Sequence, residues 1–141
     1  MRALLDVNVL LAARDEGHVQ DGRARFACSK WRSGGASCPL TQNGCVRIMS
    51  QPSYPAPVKV SEIIGRLREA TAHPSHTFWP DDISVLDDAV VDAGRVHGPK
   101  QVTDLYLLAL AVHRGGRFVT FDARIPLSAV RGAKPEHLLS L

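Results

Sequence analysis

The sequence predicts an α/β fold, a three-layer α/β/α sandwich around a central parallel sheet. Short apolar runs, "ALL", "ASCPL", "HTFW" and "RFVTF", alternate with longer segments of helical period, the pattern of strands joined by crossover helices. The first run is apolar throughout, as a strand covered on both faces must be. The segment "TDLYLLALAVHRGG" is apolar nearly all round, which marks a central helix packed against a sheet.

The elements follow in order. "ALL" closes a strand at Leu5, and "VNVLLAARDEGH" gives a short helix ending near Gly17. Val19, Arg23, Phe26, Ala27 and Trp31 recur at helical spacing, so a second, amphipathic helix runs from His18 to about Ser33, where "SGG" stops it. "ASCPL" reads as the second strand, with Thr41 placed to cap a helix over "QNGCVRIMS". Pro52, Pro55 and Pro57 enforce an extended loop. From about Val60 to Ala72, Ile63, Ile64, Leu67, Ala70 and Thr71 share one face of a further helix. "HTFW" is a short third strand before the turn "PDD", residues 84 to 97 read as helix, and "GPKQV" is a loop. Thr103 then caps the central helix, which Gly115 and Gly116 stop, "RFVTF" is the next strand, and "HLLSL" an edge strand.

A chain of 141 residues fits one domain, taken as 1–141, and can bury a sizeable core unaided. With 45% hydrophobic and 22% charged residues, disorder, collagen and coiled coil are poor descriptions. No apolar run approaches the ~20 residues that cross a bilayer, and Asp6 and Asn8 interrupt the first apolar stretch before it could form a signal-peptide core. A cytoplasmic location with no membrane contact is the resulting expectation. Cys28, Cys38 and Cys45 lack metal-site spacing and sit in apolar patterns, so they read as buried reduced thiols. The net charge of +3, carried mostly by arginine, permits a nucleic-acid or acidic partner without requiring one.

In a parallel sheet the functional crevice lies beyond the carboxyl ends of the strands. Asp6 follows the first strand and Asp122 the strand at 117–121, so acids from opposite ends of the sequence arrive on one edge. Asp104 joins them from the first turn of the central helix, because helix starts lie on that same edge. Two carboxylates at ~4 Å repel by roughly 4 kcal/mol at an effective dielectric of 20, so three in one place imply a protonated carboxyl or a divalent cation. Oxygen ligands without histidine or cysteine suit Mg²⁺ or Mn²⁺, and such a site favours phosphodiester hydrolysis. Any single Asp at a helix start is more often a cap than a ligand; three on one edge favour the functional reading. The pairs at 81–82 and 87–88 fit turns or solvated faces.

At these residues the chain resembles a known family. "ALLDVNVLLA", "CPLTQNGCVRIMSQP", "HTFWPDD" and "QVTDLYLLALAVHRGGRFVTFD" together are similar to a PIN-domain ribonuclease of the VapC toxin type, the toxin half of a type II toxin–antitoxin pair. The resemblance runs from the first strand to Asp122. It implies a parallel-sheet α/β/α sandwich, Mg²⁺-dependent endoribonuclease activity on transfer or ribosomal RNA, and a cognate antitoxin whose tail enters the acidic groove. By motif it makes Asp6 and Asp104 the main metal ligands and Asp122 the further acid, with Asn8 and Thr120 orienting them. Gln42 stands where the family has a glutamate, with Asn43 an alternative match. Its amide carries no charge and could act only by hydrogen bonding, as through a metal-bound water. Arg47, five residues on, reads equally as an RNA or antitoxin contact and as a helix-surface charge. The amphipathic helices at 18–33 and 60–72 are candidate surfaces for a homodimer or the antitoxin.

Other residues read as structure. Tyr54 between prolines is better a packed loop anchor than a base-stacking platform, Trp79 is core, and Pro74 spoils His73 and His76 as a metal pair. An aspartate-nucleophile phosphatase would want an acid where Asn8 stands. A receiver domain would want paired acids after the first strand. The stronger rival is a degenerate module of the same fold that only binds RNA or a protein partner, motivated by Gln42.

Overall fold

In the computed structural model, which describes residues 1–14, 22–122 and 124–141, five strands form one parallel sheet. They are β1 (Ala3–Leu5), β2 (Gly35–Ser37), β3 (Thr77–Phe78), β4 (Arg117–Thr120) and β5 (Leu138–Ser140), in the order β3-β2-β1-β4-β5. The helices are α1 (Val7–Arg14), α2 (Gly22–Arg32), α3 (Pro39–Met49), α4 (Val60–Thr71) and α5 (Val102–His113).

Strand alternation divides the core into two layers. Ala3, Leu5 and Val119 pack with Val9, Leu10, Trp31, Cys45 and Ile63 from α1 to α4. Leu4, Ala36 and Phe118 point the other way, into Leu107, Leu108 and Ala111 of α5 together with Trp79 and Ile125. Each such leucine stabilises the fold by about 1.5–3 kcal/mol on burial, so β1 can hold no polar residue between Ala3 and Leu5 without loss. The three-layer α/β/α sandwich expected from the sequence is the observed architecture.

The chain runs outward from β1 to β2 and β3, then returns to place β4 on the other side of β1. The crossover point therefore lies between β1 and β4, where Leu5 pairs with Val119. Connections diverge there, leaving a crevice beyond the strand ends. The α5–β4 turn is fixed by two glycines: Gly115 has φ +68, a left-handed C-cap, and a Cβ on Gly116 would lie 2.6 Å from the Arg2 carbonyl oxygen.

Several expectations need correction. The predicted strand over "ASCPL" ends at Ser37, and Cys38 is the N-cap of a helix whose first residue is Pro39. Thr41 is therefore inside the first turn, where its hydroxyl donates to the Cys38 carbonyl and accepts from the Cys38 N–H, each at 3.1 Å. Residues 84–97 form no α-helix. Asp87 accepts from the Ala89 N–H, Ser84 from Leu86 and Asp92 from Gly94, so short polar side chains capture amides that a helix would need. Val91 instead bridges to Val130, and a 3-10 turn covers Ala93–Arg95. Thr103 is not the cap of α5: a 3-10 turn at Pro99–Gln101 leads in, with Gln101 at the cap position. The end of the first predicted helix near Gly17 and the start of the second at His18 fall outside the described residues.

Candidate active site

Asp6 leaves β1 with its backbone still in the sheet, its N–H donating to the Val119 carbonyl at 2.9 Å. Its carboxylate is fixed at both oxygens: Oδ1 accepts the Val7 N–H at 2.7 Å, and Oδ2 accepts the Thr120 hydroxyl at 2.8 Å. Burial raises its pKa above the usual carboxylate value, these two bonds pull it down, and the charge of Asp122 raises it further. Thr120 is buried at the end of β4, and its oxygen also accepts the Asp122 N–H at 3.1 Å. One hydroxyl thus ties the two strand-end acids into a single frame.

Asp104 lies in the first turn of α5, as expected, and is partly buried. Burial, then the charges of Asp6 and Asp122, push its pKa up to about 6. Asp122 is held the opposite way. Its Oδ1 accepts the Arg124 N–H at 2.9 Å and Arg124 Nε at 3.3 Å, and these contacts keep its pKa below the usual value.

Asp6, Asn8, Asp104, Thr120, Asp122 and Arg124 line one cleft of about 570 Å³. No histidine or cysteine lines it, so the donors it offers are oxygens suited to a hard dication. Among the described residues no three His, Cys, Asp or Glu side chains are gathered tightly enough to hold a metal ion as they stand. Asp122 is turned onto Arg124 instead.

Gln42 does not line this cleft. Together with Asn43 and the exposed Arg47 it lines a neighbouring groove between α3 and α4, floored by Val46, Ile64 and Leu67. The Gln42 amide donates to Ser37 Oγ at 2.9 Å, and Ser37 Oγ lies 2.8 Å from His76 Nε2. Burial lowers the His76 pKa, which favours the neutral ring. Trp79, Cys38 and Cys45 are buried, Cys28 is only half-buried where burial was expected, and Tyr54 packs against the core.

Sequence reasoning missed three residues. Arg124, two positions beyond the strand-end acid, is the cation that holds Asp122, and its Asp-x-Arg spacing was the available signal. Lys100 lies in an adjoining cleft that Asp122 and Arg124 also line. Asp81, read as a turn residue, accepts the Leu40 N–H at 3.0 Å and the Tyr106 hydroxyl at 2.8 Å, so it caps α3 from the segment after β3. Nothing local marks that role, because both partners are distant in sequence.

The same arrangement of sequence recurs in known proteins. No family model matches the chain. Over 142 aligned positions, spanning all of both chains, it is 55% identical to "Ribonuclease VapC44" of Mycobacterium tuberculosis. It is 41% identical to "Ribonuclease VapC39" of the same organism over 134 positions, covering 94% of this chain and 96% of the relative. With "Ribonuclease VapC38" the identity is 38% over 142 positions, 99% of each chain. At these identities over essentially the whole length, the chain belongs to the VapC family of PIN-domain toxins.

Proposed function

We propose that this protein is the endoribonuclease toxin of a toxin–antitoxin system, hydrolysing RNA phosphodiester bonds at the cleft formed by Asp6, Asp104 and Asp122. The observation that carries this reading is the arrival of those three acids at the crossover point between β1 and β4, with Asp104 pushed up to about 6 by its surroundings. Aspartates destabilised by one another are retained where a cation offsets them. The ribonuclease names of its relatives at 55% and 41% identity support it.

The oxygen donor set fits Mg²⁺ or Mn²⁺, and Asp6 and Asp104 with Asp122 are the residues that would hold it. When bound, such an ion supplies Lewis acidity, lowering the pKa of a water and offsetting charge at the phosphate. The chain's own residues do the rest. Val7 and Thr120 lock the Asp6 carboxylate so that its free lone pairs face the cleft. Asp104, pushed up to about 6 by burial and by Asp6 and Asp122, is a carboxylate whose ionised form a bound cation would favour. Arg124 offers a guanidinium at the cleft margin to phosphate oxygens. Gln42 acts from behind this site, holding the first turn of α3 to the end of β2.

We take all 141 residues as one domain, working in the cytoplasm as a homodimer, with a cognate antitoxin as partner and transfer or ribosomal RNA as substrate. Expression of the wild type should arrest growth, and the purified protein should fragment total RNA with Mg²⁺ or Mn²⁺ but not in chelator. RNA left intact with either metal while still bound would favour the binding-module reading.

A further inference from the structure

Beside the acidic cleft lies a second one of about 350 Å³, lined by His97, Gly98, Lys100, Gln101, Asp122 and Arg124 among others. Asp122 and Arg124 line both, so the two are continuous; beyond that shared pair the first holds the carboxylates Asp6 and Asp104, and the second holds Lys100 and His97. Lys100 and His97 are exposed, and neither has an ion-pair partner among the described residues. The walls are joined by Gln101, whose Nε2 donates to the Arg124 carbonyl at 3.0 Å. Its Oε1 is buried with no hydrogen-bond partner, an orphaned acceptor that calls for a donor.

The geometry points to this cleft as the subsite for the RNA phosphate adjoining the one that is cleaved, with Lys100 and Arg124 as its cationic contacts and Gln101 as the strut between them. The inference rests on the ribonuclease reading of the acidic cleft. A polyanion crossing three carboxylates gains nothing from them without a cation, so its grip must come from the flanking phosphates. The basic cleft is the charge complement that opens directly onto the acids. Arg124 serves both parts, because the side chain that holds Asp122 is also 88% exposed and free to reach a phosphate.

The test is fluorescence anisotropy of a labelled single-stranded oligoribonucleotide in EDTA, where no cleavage occurs, across a salt series. For single strands each phosphate contact contributes about −0.7 to the slope of log K against log salt. Lys100→Ala should weaken binding about 5- to 10-fold and flatten the slope by roughly that amount, and Lys100→Arg should restore both. Lys134→Ala, which removes a charge near the amino end of β5 on the opposite edge of the sheet, should change neither. If Lys100→Ala binds with the wild-type affinity and slope while the wild type cleaves RNA with Mg²⁺, the subsite is wrong and the ribonuclease stands. If the wild type cleaves with neither metal, yet Lys100→Ala shows the loss of slope, the ribonuclease reading fails and the cleft is a plain RNA-phosphate contact rather than a subsite beside a cleaved bond.

Discussion

Asp104 shows most directly how gathering acids at one edge strains this fold. Its carboxylate is pushed up to about 6 by burial and by Asp6 and Asp122, and it accepts no hydrogen bond among the described residues. Asp104→Asn keeps the shape and removes the charge, so it should raise the melting temperature in chelator at pH 7.5 by about 2–4 °C, read by thermal denaturation. The same variant should lose cleavage by more than the ~10- to 100-fold that changes outside the first coordination shell cost. Thr120→Val is a supporting change of that outer kind. It deletes the hydroxyl shared by Asp6 and the Asp122 amide, so the cleavage rate should fall ~10- to 100-fold. The shared position of Asp6 and Asp122 was legible in the sequence because each follows an apolar strand of a parallel sheet, which brings both to one edge. Gln42 was not, because its partner Ser37 lies on β2 and its onward partner His76 precedes β3. A donor at Gln42 matches the neutral His76, since the chain runs from amide to serine to imidazole. Gln42→Glu reverses the first link and asks His76 to donate, so the His76 pKa should rise in an NMR titration. An unchanged His76 titration would show that the three groups do not act as one chain.

The elements differ in how plainly their residues announce them. β1, α4, α5 and β4 were readable because a single physical cause, apolar burial, dominates each. The start of α3 was not, because Cys38, Pro39 and Leu40 continue an apolar run and read as strand, while Asp81 supplies the cap from 41 residues away. The stretch 84–97 misled for the opposite reason. Its valines carry a helical spacing, but Ser84, Asp87 and Asp92 bind nearby amides and Val91 pairs with Val130. Packing between α1 and α3 sets where the active-site helix sits: a Cβ on Gly44 would lie 2.7 Å from Val7 Cγ2. Gly44→Ala should cost about 1–3 kcal/mol in denaturant unfolding, by overpacking that interface. Val7 also donates to Asp6, so cleavage should fall with it.

Across the molecule, a chain of net charge +3 gathers three acids at one edge and places Lys100, His97 and Arg124 beside them. This division makes stability depend on pH in a way that identifies the cleft. The folded pKa of Asp104, about 6, lies above its ordinary 3.8, so its contribution is fully present below 3.8 and lost as pH rises through 6. His76 acts with the opposite sign, since its lowered pKa favours the fold above its ordinary 6.5 and that contribution is lost in acid. The difference between wild type and Asp104→Asn isolates the carboxylate: the gap in melting temperature should be widest near pH 7.5, shrink through pH 6, and be nearly closed at pH 4. The parallel topology and the shared edge of the acids were visible from strand and helix alternation. The basic cleft was not, because Lys100 and Arg124 are separated in sequence and reach one cleft through the fold, where Gln101 bonds the Arg124 carbonyl. The most direct measurement compares RNA cleavage by wild type, Asp6→Asn and Asp104→Asn with Mg²⁺ or Mn²⁺, each variant first shown to unfold cooperatively. Metal-dependent cleavage by the wild type and its loss in both variants, with RNA binding retained, is the expected result; cleavage at the wild-type rate by either folded variant would contradict the assignment of the site.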